Sequence, residues 1–156
     1  MQANLGIDEK DLREITSDLY KILEQTYDLY TKTQNYHWNI TGKLFLNLHK
    51  MFETQYADLS EAVDKIAERI RTLGYSVLGT YFNSNLPASM KKESKIMSVN
   101  DMMLDLMHGH ESIARCAREL FLKADKVADF GTENLLGNRI EIHEKTAWII
   151  RSQLID

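Results

Sequence analysis

Side chains of the kind that bind metal ions recur between residues 37 and 68 of the chain. They are two histidines and three carboxylates: His37, His49, Glu53, Asp64 and Glu68. Imidazole and carboxylate ligands without thiolates suit Fe(II), Mn(II) or Zn(II), whereas Cu(I) prefers sulfur. Carboxylates also hold iron after its oxidation to Fe(III), and an incomplete ligand shell leaves room for an oxidant. These residue types therefore suit a redox-active iron site, and they fit Mn(II) or Zn(II) as well.

The spacing of four of these residues places them on one strip of a single predicted helix. With His49 as the reference direction, Glu53 lies at roughly 40° around the axis. Asp64 and Glu68 follow at roughly 60° and roughly 100°, whereas the apolar stripe is centred at roughly −70°. The polar strip therefore lies beside the core and not opposite it. Because Glu53 and Asp64 are about 16 Å apart along the axis, one chain cannot close a metal site with these residues alone.

The same positions are symmetric about a point midway between residues 58 and 59. His49 and Glu68 are equally far from this point, and so are Glu53 and Asp64. Two copies of the helix that cross antiparallel about a two-fold axis therefore bring His49 of one copy to the partner's Glu68. Glu53 meets the partner's Asp64 in the same way. Such an isologous dimer contains two equivalent sites, and His37 from the preceding helix completes each one.

Small residues support such a crossing, but the residues alone leave other interpretations open. Ala57 and Ser60 flank the symmetry point and would allow two helices to approach closely. The acids and His49 are equally typical of a solvated helix surface. His37 on its own is typical of a packed or capping histidine.

An intrachain di-iron centre is disfavoured. The usual di-iron bundle carries a Glu-x-x-His motif on each of two helices, and this sequence has none. The nearest approach is Asp105-x-x-His108, which has no counterpart on the fourth predicted helix. His108 and His110 lie about 200° apart around a helix, so they cannot share one metal ion. His143 falls within an apolar stripe and is predicted to be packed and hydrogen-bonded.

Composition favours a single all-helical domain. The 156-residue chain is 44% apolar and 27% charged, with seven glycines and one proline. This length is enough to bury a substantial core, and so few helix-breaking residues favour long helices. The formal charge of −4 argues against a domain built mainly to grip phosphate backbones.

The sequence predicts a cytoplasmic protein. It has no run of about eighteen apolar residues, and its first residues, MQANLGIDEKDLRE, lack the basic and apolar regions of a signal peptide. A lone Cys116 cannot form an internal disulfide, which agrees with a reducing compartment.

Apolar residues recur at three- and four-residue steps, which predicts four α-helices. The expected ranges are 8–39, 44–73, 98–123 and 132–154. The expected core-facing residues of the second helix are Phe45, Leu48, Phe52, Leu59, Val63, Ile66 and Ile70. A short helix is expected over residues 86–94, within the long link between the second and third helices. One such link is the ferritin-like arrangement of a four-helix bundle, and residues 1–156 are expected to form this one domain, with 1–7 as a short tail.

Turn and capping residues predict where these helices begin. Asp8 is a candidate N-cap for the first helix, and Thr41-Gly42 supplies its stop. Ser98, followed three residues later by Asp101, resembles a capping arrangement for the third helix. Thr132 is the candidate cap of the fourth.

Several stretches of the chain carry a resemblance to a known family. YHWNITGKLFLNLHKMFE, from Tyr36, and DLSEAVDKIAERI, from Asp58, resemble the Dps family, the miniferritins named as DNA-binding proteins from starved cells. HEKTAWIIRS, from His143, resembles the last helix of that family. The similarity runs from residue 8 to residue 154.

This resemblance implies a fold and an activity. It implies a hollow dodecamer of four-helix bundles that oxidises Fe(II), preferentially with hydrogen peroxide, and stores the ferric mineral inside. Two electrons are then expected to pass from bound Fe(II) to peroxide, which gives water without releasing hydroxyl radical. Peroxide and free iron are both removed in this way, so the cell and its DNA are protected.

The resemblance also assigns residues by position. The implied iron ligands are His37, His49, Glu53, Asp64 and Glu68. Asp64 and Glu68 match the acids that the two-fold partner contributes. Glu53 stands where the family more often has Asp, which leaves open whether it binds the second iron directly or through water. Trp38 stands where the family keeps an aromatic residue near the site, although interface packing explains it equally well.

Charge at the chain ends departs from the family name. Family members that bind DNA directly tend to carry a Lys/Arg-rich tail, whereas here acids match or outnumber bases at both ends. We predict weak or no direct DNA binding at physiological salt. The alternatives are a nucleoid DNA-coating protein with little oxidation activity and a helical interaction module without metal.

The resemblance also suggests acid-lined pores at three-fold axes, for which Asp125, Asp129 and Glu133 are candidates, although a solvated loop explains these acids equally well.

Overall fold

A computed structural model describes residues 4–77 and 97–154, which fold into four α-helices. They are α1 (Glu9–Asn39), α2 (Phe45–Thr72), α3 (Val99–Lys126) and α4 (Phe130–Gln153). The predicted all-α fold is confirmed, and these two segments contain no strand. The short helix predicted over 86–94 lies outside them. None of the four helices is long and apolar enough to cross a membrane.

α1 buries the stripe that its apolar spacing predicts. In α1, residues at three- and four-residue steps are almost fully enclosed: Leu12, Ile15, Leu19, Ile22, Thr26, Leu29 and Thr33. Thr26 and Thr33 satisfy their hydroxyl groups within the helix, each donating to the main-chain carbonyl four residues earlier. A polar atom is thus accommodated in the core without an unpaired donor.

Contacts between the helices give the order of the bundle. Tyr36 near the end of α1 contacts Asp105 near the start of α3, whereas Asp18 pairs with Lys123 at the other end. α1 is therefore antiparallel to α3, and the short turn at residues 40–44 makes it antiparallel to α2 as well. Consequently α2 and α3 run parallel. This is the ferritin-like arrangement expected from one long connection.

Helix ends agree with the predicted caps in part. The Ser98 hydroxyl accepts a hydrogen bond from the Asp101 N–H, as the capping pattern predicts. Asp8 occupies the N-cap of α1 but forms no side-chain capping bond. The prediction for α4 is wrong, because Asp129 is the N-cap and Thr132 lies inside the helix. An Asp129 carboxylate oxygen accepts from the Thr132 N–H, so the helix begins earlier than expected.

The turn between α1 and α2 positions the candidate site. α1 ends at Asn39, and Gly42 has a φ of +99°, a conformation that favours glycine. The chain thus reverses tightly and brings the last turn of α1 against the first turns of α2. Phe45, predicted to face the core, is exposed instead. It is the first residue of α2, and the buried stripe of this helix begins only at Leu48.

Candidate metal centre

His37 and His49 meet across this turn. Their rings stack with centroids 3.8 Å apart and planes inclined by 20°. His37 Nδ1 lies 2.9 Å from the His49 carbonyl oxygen, and His49 Nδ1 lies 2.9 Å from the His37 carbonyl oxygen. The two residues therefore bind each other's main chain reciprocally, and both rings are fixed in orientation.

These hydrogen bonds determine which nitrogen carries the hydrogen. A carbonyl oxygen can only accept, so the Nδ1 atoms of His37 and His49 must both be donors. In a neutral imidazole, Nε2 then keeps its lone pair. Metal-binding histidines have this same arrangement, in which one ring nitrogen donates to a backbone carbonyl and the other binds the ion. In both residues, Nε2 is thus the ring nitrogen that no described residue contacts.

Aromatic rings enclose the two histidines. Phe45 stacks on His49 with centroids 5.0 Å apart, and Tyr56 meets the His37 ring edge-on at 5.2 Å. His37 is buried, and His49 is half-buried. His37 is therefore packed, as one of the two interpretations of this residue expects. Its Nε2, however, has no hydrogen-bond partner among the described residues.

Glu53 lies one turn beyond His49 on α2. Its carboxylate accepts a hydrogen bond from the Lys50 ammonium at 2.5 Å. Lys50 lowers the pKa of Glu53, first through that hydrogen bond and then through its charge, and the two histidines lower it further. The ion pair with Lys50 thus favours the charged form of the Glu53 carboxyl. Its side chain is 42% exposed, so it is free to turn towards a cation.

Asp64 and Glu68 lie far from the histidines within one chain. Both are exposed on α2, about 22 Å and about 28 Å from His49 along the helix axis. Across the described segments, no three His, Cys, Asp or Glu side chains are close enough to hold one metal ion. The structure thus brings together only His37 and His49, with Glu53 nearby.

Exposed apolar side chains lie close in sequence to the histidine pair. Trp38 is 62% exposed and Leu46 is 74% exposed, and Leu44 and Phe45 are exposed beside them. Trp38 points away from the enclosed core although the residue before it is buried. An apolar patch of this kind is typical of a surface that another protein covers.

A second cluster of polar side chains lies in the bundle core, and the sequence pattern predicted only its member His143. His143 is fully enclosed, and its Nδ1 lies 2.8 Å from His110 Nδ1. Arg139 extends this row, with one guanidinium nitrogen 3.2 Å from His143 Nε2 and two nitrogens bonded to the Asp58 carboxylate. The prediction that His143 is packed and hydrogen-bonded is confirmed. Sequence reasoning missed Arg139. Its position inside the apolar stripe of α4, one turn from His143, could have indicated a buried polar partner for that histidine.

The direction of hydrogen bonding in this row follows from Arg139. A guanidinium only donates, so His143 Nε2 must accept and His143 Nδ1 must carry the hydrogen. His143 therefore donates to His110 Nδ1, which places the hydrogen of His110 on Nε2. Burial lowers the pKa of His110 to about 4, and burial also holds the pKa of His143 well below its ordinary value. The acceptor nitrogen of each ring therefore already receives a hydrogen bond, so neither histidine offers a free lone pair to a metal ion.

The three candidate pore acids occupy different environments. Asp125 is exposed and Glu133 is half-buried. Asp129 is buried, because it caps α4 and forms an ion pair with Arg69 of α2. The prediction that Asp129 lines a pore is therefore wrong for this chain: its carboxylate is used inside the subunit.

Comparisons with known proteins agree with the fold. The ferritin-like domain family matches residues 16–156. A low temperature-induced protein of Nostoc sp. is 33% identical over 97% of this chain and 86% of its own length. A DNA protection during starvation protein of Brevibacillus brevis is 30% identical over 81% of this chain and 85% of its own length. One similar solved structure is a Dps protein from Vibrio cholerae O1, described as a member of a broad superfamily of ferritin-like diiron-carboxylate proteins. The match covers 99% of this chain and 98% of that one, with a TM-score of 0.85 and 29% sequence identity.

Proposed function

This chain belongs to the Dps family of ferritin-like proteins, and we propose that it is a ferroxidase and iron-storage miniferritin. Family membership supports iron storage and protection against oxidative stress. The finer proposal is that the protein oxidises Fe(II), preferentially with hydrogen peroxide, at sites shared between two subunits. The ferric mineral is then stored inside a hollow dodecamer in the cytoplasm.

The observation that carries this proposal is the reciprocal hydrogen bonding of His37 and His49. Two rings are held with their Nε2 atoms unused by any described residue. A histidine that serves packing alone gains stability when both nitrogens are satisfied. Here each residue instead satisfies one nitrogen and leaves the other for a ligand. The nitrogen and carboxylate donors suit Fe(II) as a substrate.

The remaining ligands are proposed to come from a second copy of the chain. Ala57 and Ser60, both exposed on α2, leave room for the partner's helix at the symmetry point. An antiparallel crossing there brings the partner's Asp64 and the partner's Glu68 to the histidine pair. The apolar patch around Trp38 supports an interface close to this site, because a single chain leaves it uncovered.

The chemistry needs two Fe(II) ions close together. Each ion loses one electron, the O–O bond of one peroxide molecule breaks, and two protons are taken up to give two molecules of water. Histidine nitrogens bind Fe(II) without adding charge, whereas Glu53 and the partner's acids stabilise the higher charge of Fe(III). Because both electrons reach the same peroxide molecule, hydroxyl radical is not released.

Iron oxidation by the purified protein tests this proposal. Fe(II) is added without oxygen, peroxide follows, and the ferric absorbance is recorded against a protein-free sample. We expect fast oxidation of two Fe(II) per peroxide and a soluble ferric product. Oxidation no faster than in the protein-free sample would contradict the proposal.

A double variant tests the assigned ligands. His37→Ala with Asp64→Ala removes one ligand from each side of the proposed site and should abolish the fast phase. Glu119→Gln is the matched control, because Glu119 is an exposed acid on α3, away from the site. Equal rates in the double variant and the control would exclude these ligands.

The other candidate function is a nucleoid DNA-coating protein with little oxidation activity. Its expected mark is a basic tail, and the chain instead has a formal charge of −4. We therefore favour iron oxidation, with Asp125 and Glu133 as the remaining candidates for an acidic entry path.

A further inference from the structure

A row of three tyrosine rings begins at the histidine pair. The Tyr56 ring meets His37 edge-on at 5.2 Å, Tyr30 follows at 6.3 Å from Tyr56, and Tyr27 lies 5.9 Å from Tyr30. All of these spacings fall in the range of direct contact between aromatic rings. The row, Tyr56–Tyr30–Tyr27, is therefore continuous from a proposed iron ligand into the α1–α2 face.

We propose that Tyr56 is a redox-active residue that supplies one electron to peroxide when a site holds a single Fe(II), and that Tyr30 and Tyr27 carry the resulting oxidising equivalent away. This inference rests on the proposed ferroxidase function and adds a residue that acts through His37. Tyr56 is thus an electron-donating residue beside the site, used only when one Fe(II) is bound, and not a metal ligand.

The need for such a residue follows from electron counting. Peroxide takes up two electrons to become water, but one Fe(II) supplies one. With Tyr56 as the second donor, one Fe(II), one phenol, one peroxide and one proton give one Fe(III), one neutral tyrosyl radical and two molecules of water. The phenol loses its O–H hydrogen, the O–O bond breaks, and charge balances. Without that donor, the second oxygen leaves as hydroxyl radical.

The surroundings of the row suit this role. All three rings are half-buried, which limits reaction of a radical with solvent components. The Gln34 amide donates to the Tyr30 phenol oxygen at 3.3 Å, and a donor at that oxygen leaves the phenol hydrogen free to depart. Tyr36, adjacent to His37 in sequence, differs because its hydroxyl donates to Asp105 at 2.6 Å on the α3 side of the helix.

The row also has a direction. Tyr27 lies ten residues before His37 on α1, about 15 Å away along the axis. Because α1 and α2 are antiparallel and Tyr30 contacts Tyr56, Tyr27 is level with residue 59 of α2. This is the symmetry point of the proposed dimer. In a dimer the two rows would therefore end at the same level along the helices, and an Fe(II) bound at the other site is the proposed reductant that returns the electron to the tyrosyl radical.

Freeze-quench electron paramagnetic resonance tests the proposal. The protein is loaded anaerobically with one Fe(II) per chain or less, mixed with peroxide and frozen, and a parallel sample contains a spin trap for hydroxyl radical. Ring-deuterated tyrosine in a second preparation identifies a tyrosyl signal. Tyr56→Phe keeps the ring and removes only the hydroxyl. Tyr20→Phe is the control, because Tyr20 lies about 25 Å from His37 along α1.

We expect a tyrosyl signal in the unmodified protein and in Tyr20→Phe. Tyr56→Phe should lose that signal and give a several-fold larger hydroxyl-radical adduct, although two-iron oxidation stays fast. Fast two-iron oxidation with the same signal and adduct in Tyr56→Phe as in the unmodified protein would overturn this inference alone. If the unmodified protein oxidises no iron, the ferroxidase proposal fails first.

Discussion

At the α1–α2 turn, two imidazoles bind each other's main chain, and this determines which ring nitrogens face outward. The consequence extends to single substitutions. Removing His37 also removes a donor to the His49 carbonyl and leaves the His49 ring with less support from stacking. Loss of either histidine is therefore expected to weaken binding through both rings, which is the behaviour of residues that act as a unit.

The buried histidines in the core make stability depend on pH. The pKa of His110 is lowered to about 4 from an ordinary value of 6.5, chiefly by burial. As the pH falls from 6.5 to 4, His110 becomes protonated in the unfolded chain but stays unprotonated in the folded chain. Stability that is present above pH 6.5 is therefore lost in this window, by on the order of 3 kcal/mol for His110. Urea unfolding at about pH 7.5 and about pH 5 measures the part of this loss that occurs above pH 5, about 2 kcal/mol.

Two variants separate this effect from general acid sensitivity. His110→Gln should unfold with a smaller difference between the two pH values, because its side chain does not titrate. His108→Gln is the control, since His108 is an exposed neighbour on the same helix, and it should keep the full difference. An unchanged pH dependence in His110→Gln would show that the buried pair is not responsible.

At the scale of elements, local pattern predicted most of the fold. The apolar steps of α1 and the capping residues around Ser98 depend on neighbours a few positions apart, so they can be read from sequence. The start of α4 was misplaced because Asp129 and Thr132 are both good capping residues. The choice of Asp129 depends on Arg69, sixty positions away, which pairs with that carboxylate.

The contacts that the sequence did not give are those between helices. The Tyr56 contact with His37 and the Arg139 pair with Asp58 join positions far apart in the chain. Periodicity predicts which side of a helix faces inward, but the rotation and level of the neighbouring helix determine what each residue meets. The predicted ligands Asp64 and Glu68 stay predictions, because their proposed partners belong to another copy of the chain.

The junction between α2 and α4 gives a prediction at this scale. A Cβ on Gly131 would lie 2.7 Å from one guanidinium nitrogen of Arg69 and 2.8 Å from its central carbon. Gly131→Ala should push Arg69 away from the buried Asp129. That carboxylate then keeps its hydrogen bonds from Thr132 but loses its opposite charge, which is costly for a buried group. We expect a loss of about 1–2 kcal/mol in the free energy of unfolding, measured by urea denaturation.

Gly137 provides the matched control in the same helix. The nearest atom to an added Cβ there is a Phe121 ring carbon at 3.8 Å, which is an ordinary contact. Gly137→Ala should therefore be neutral or stabilising by up to about 1 kcal/mol, because alanine favours a helix over glycine. Equal effects at the two glycines would contradict the role given to the Arg69–Asp129 pair.

The whole molecule is expected to be a shell of twelve chains. The proposed shell contains twelve copies of an 18.1 kDa chain, so light scattering after size exclusion should give a mass twelve times that value. A monomer would leave the patch around Trp38 exposed and the histidine pair without the acids proposed to come from the partner. A purely monomeric protein with fast iron oxidation would contradict the shared site.

The charge of the assembled protein leads to the second prediction. Each chain carries a formal charge of −4, and a shell with this surface should repel the phosphate backbone. A gel shift at neutral pH and physiological salt should therefore show weak binding or none. Tight complexes that dissociate as salt is raised would favour the nucleoid-coating alternative.

Mixing two inactive variants tests the central claim, that each iron site is built by two identical chains. One variant carries His37→Ala and His49→Ala, and the other carries Asp64→Ala and Glu68→Ala. In each mixed pair, one site receives both intact halves and the other receives neither. Random co-assembly of equal amounts should therefore restore about a quarter of the unmodified iron-oxidation rate. If the mixed assemblies form but remain as inactive as the separate variants, the site is not shared between chains.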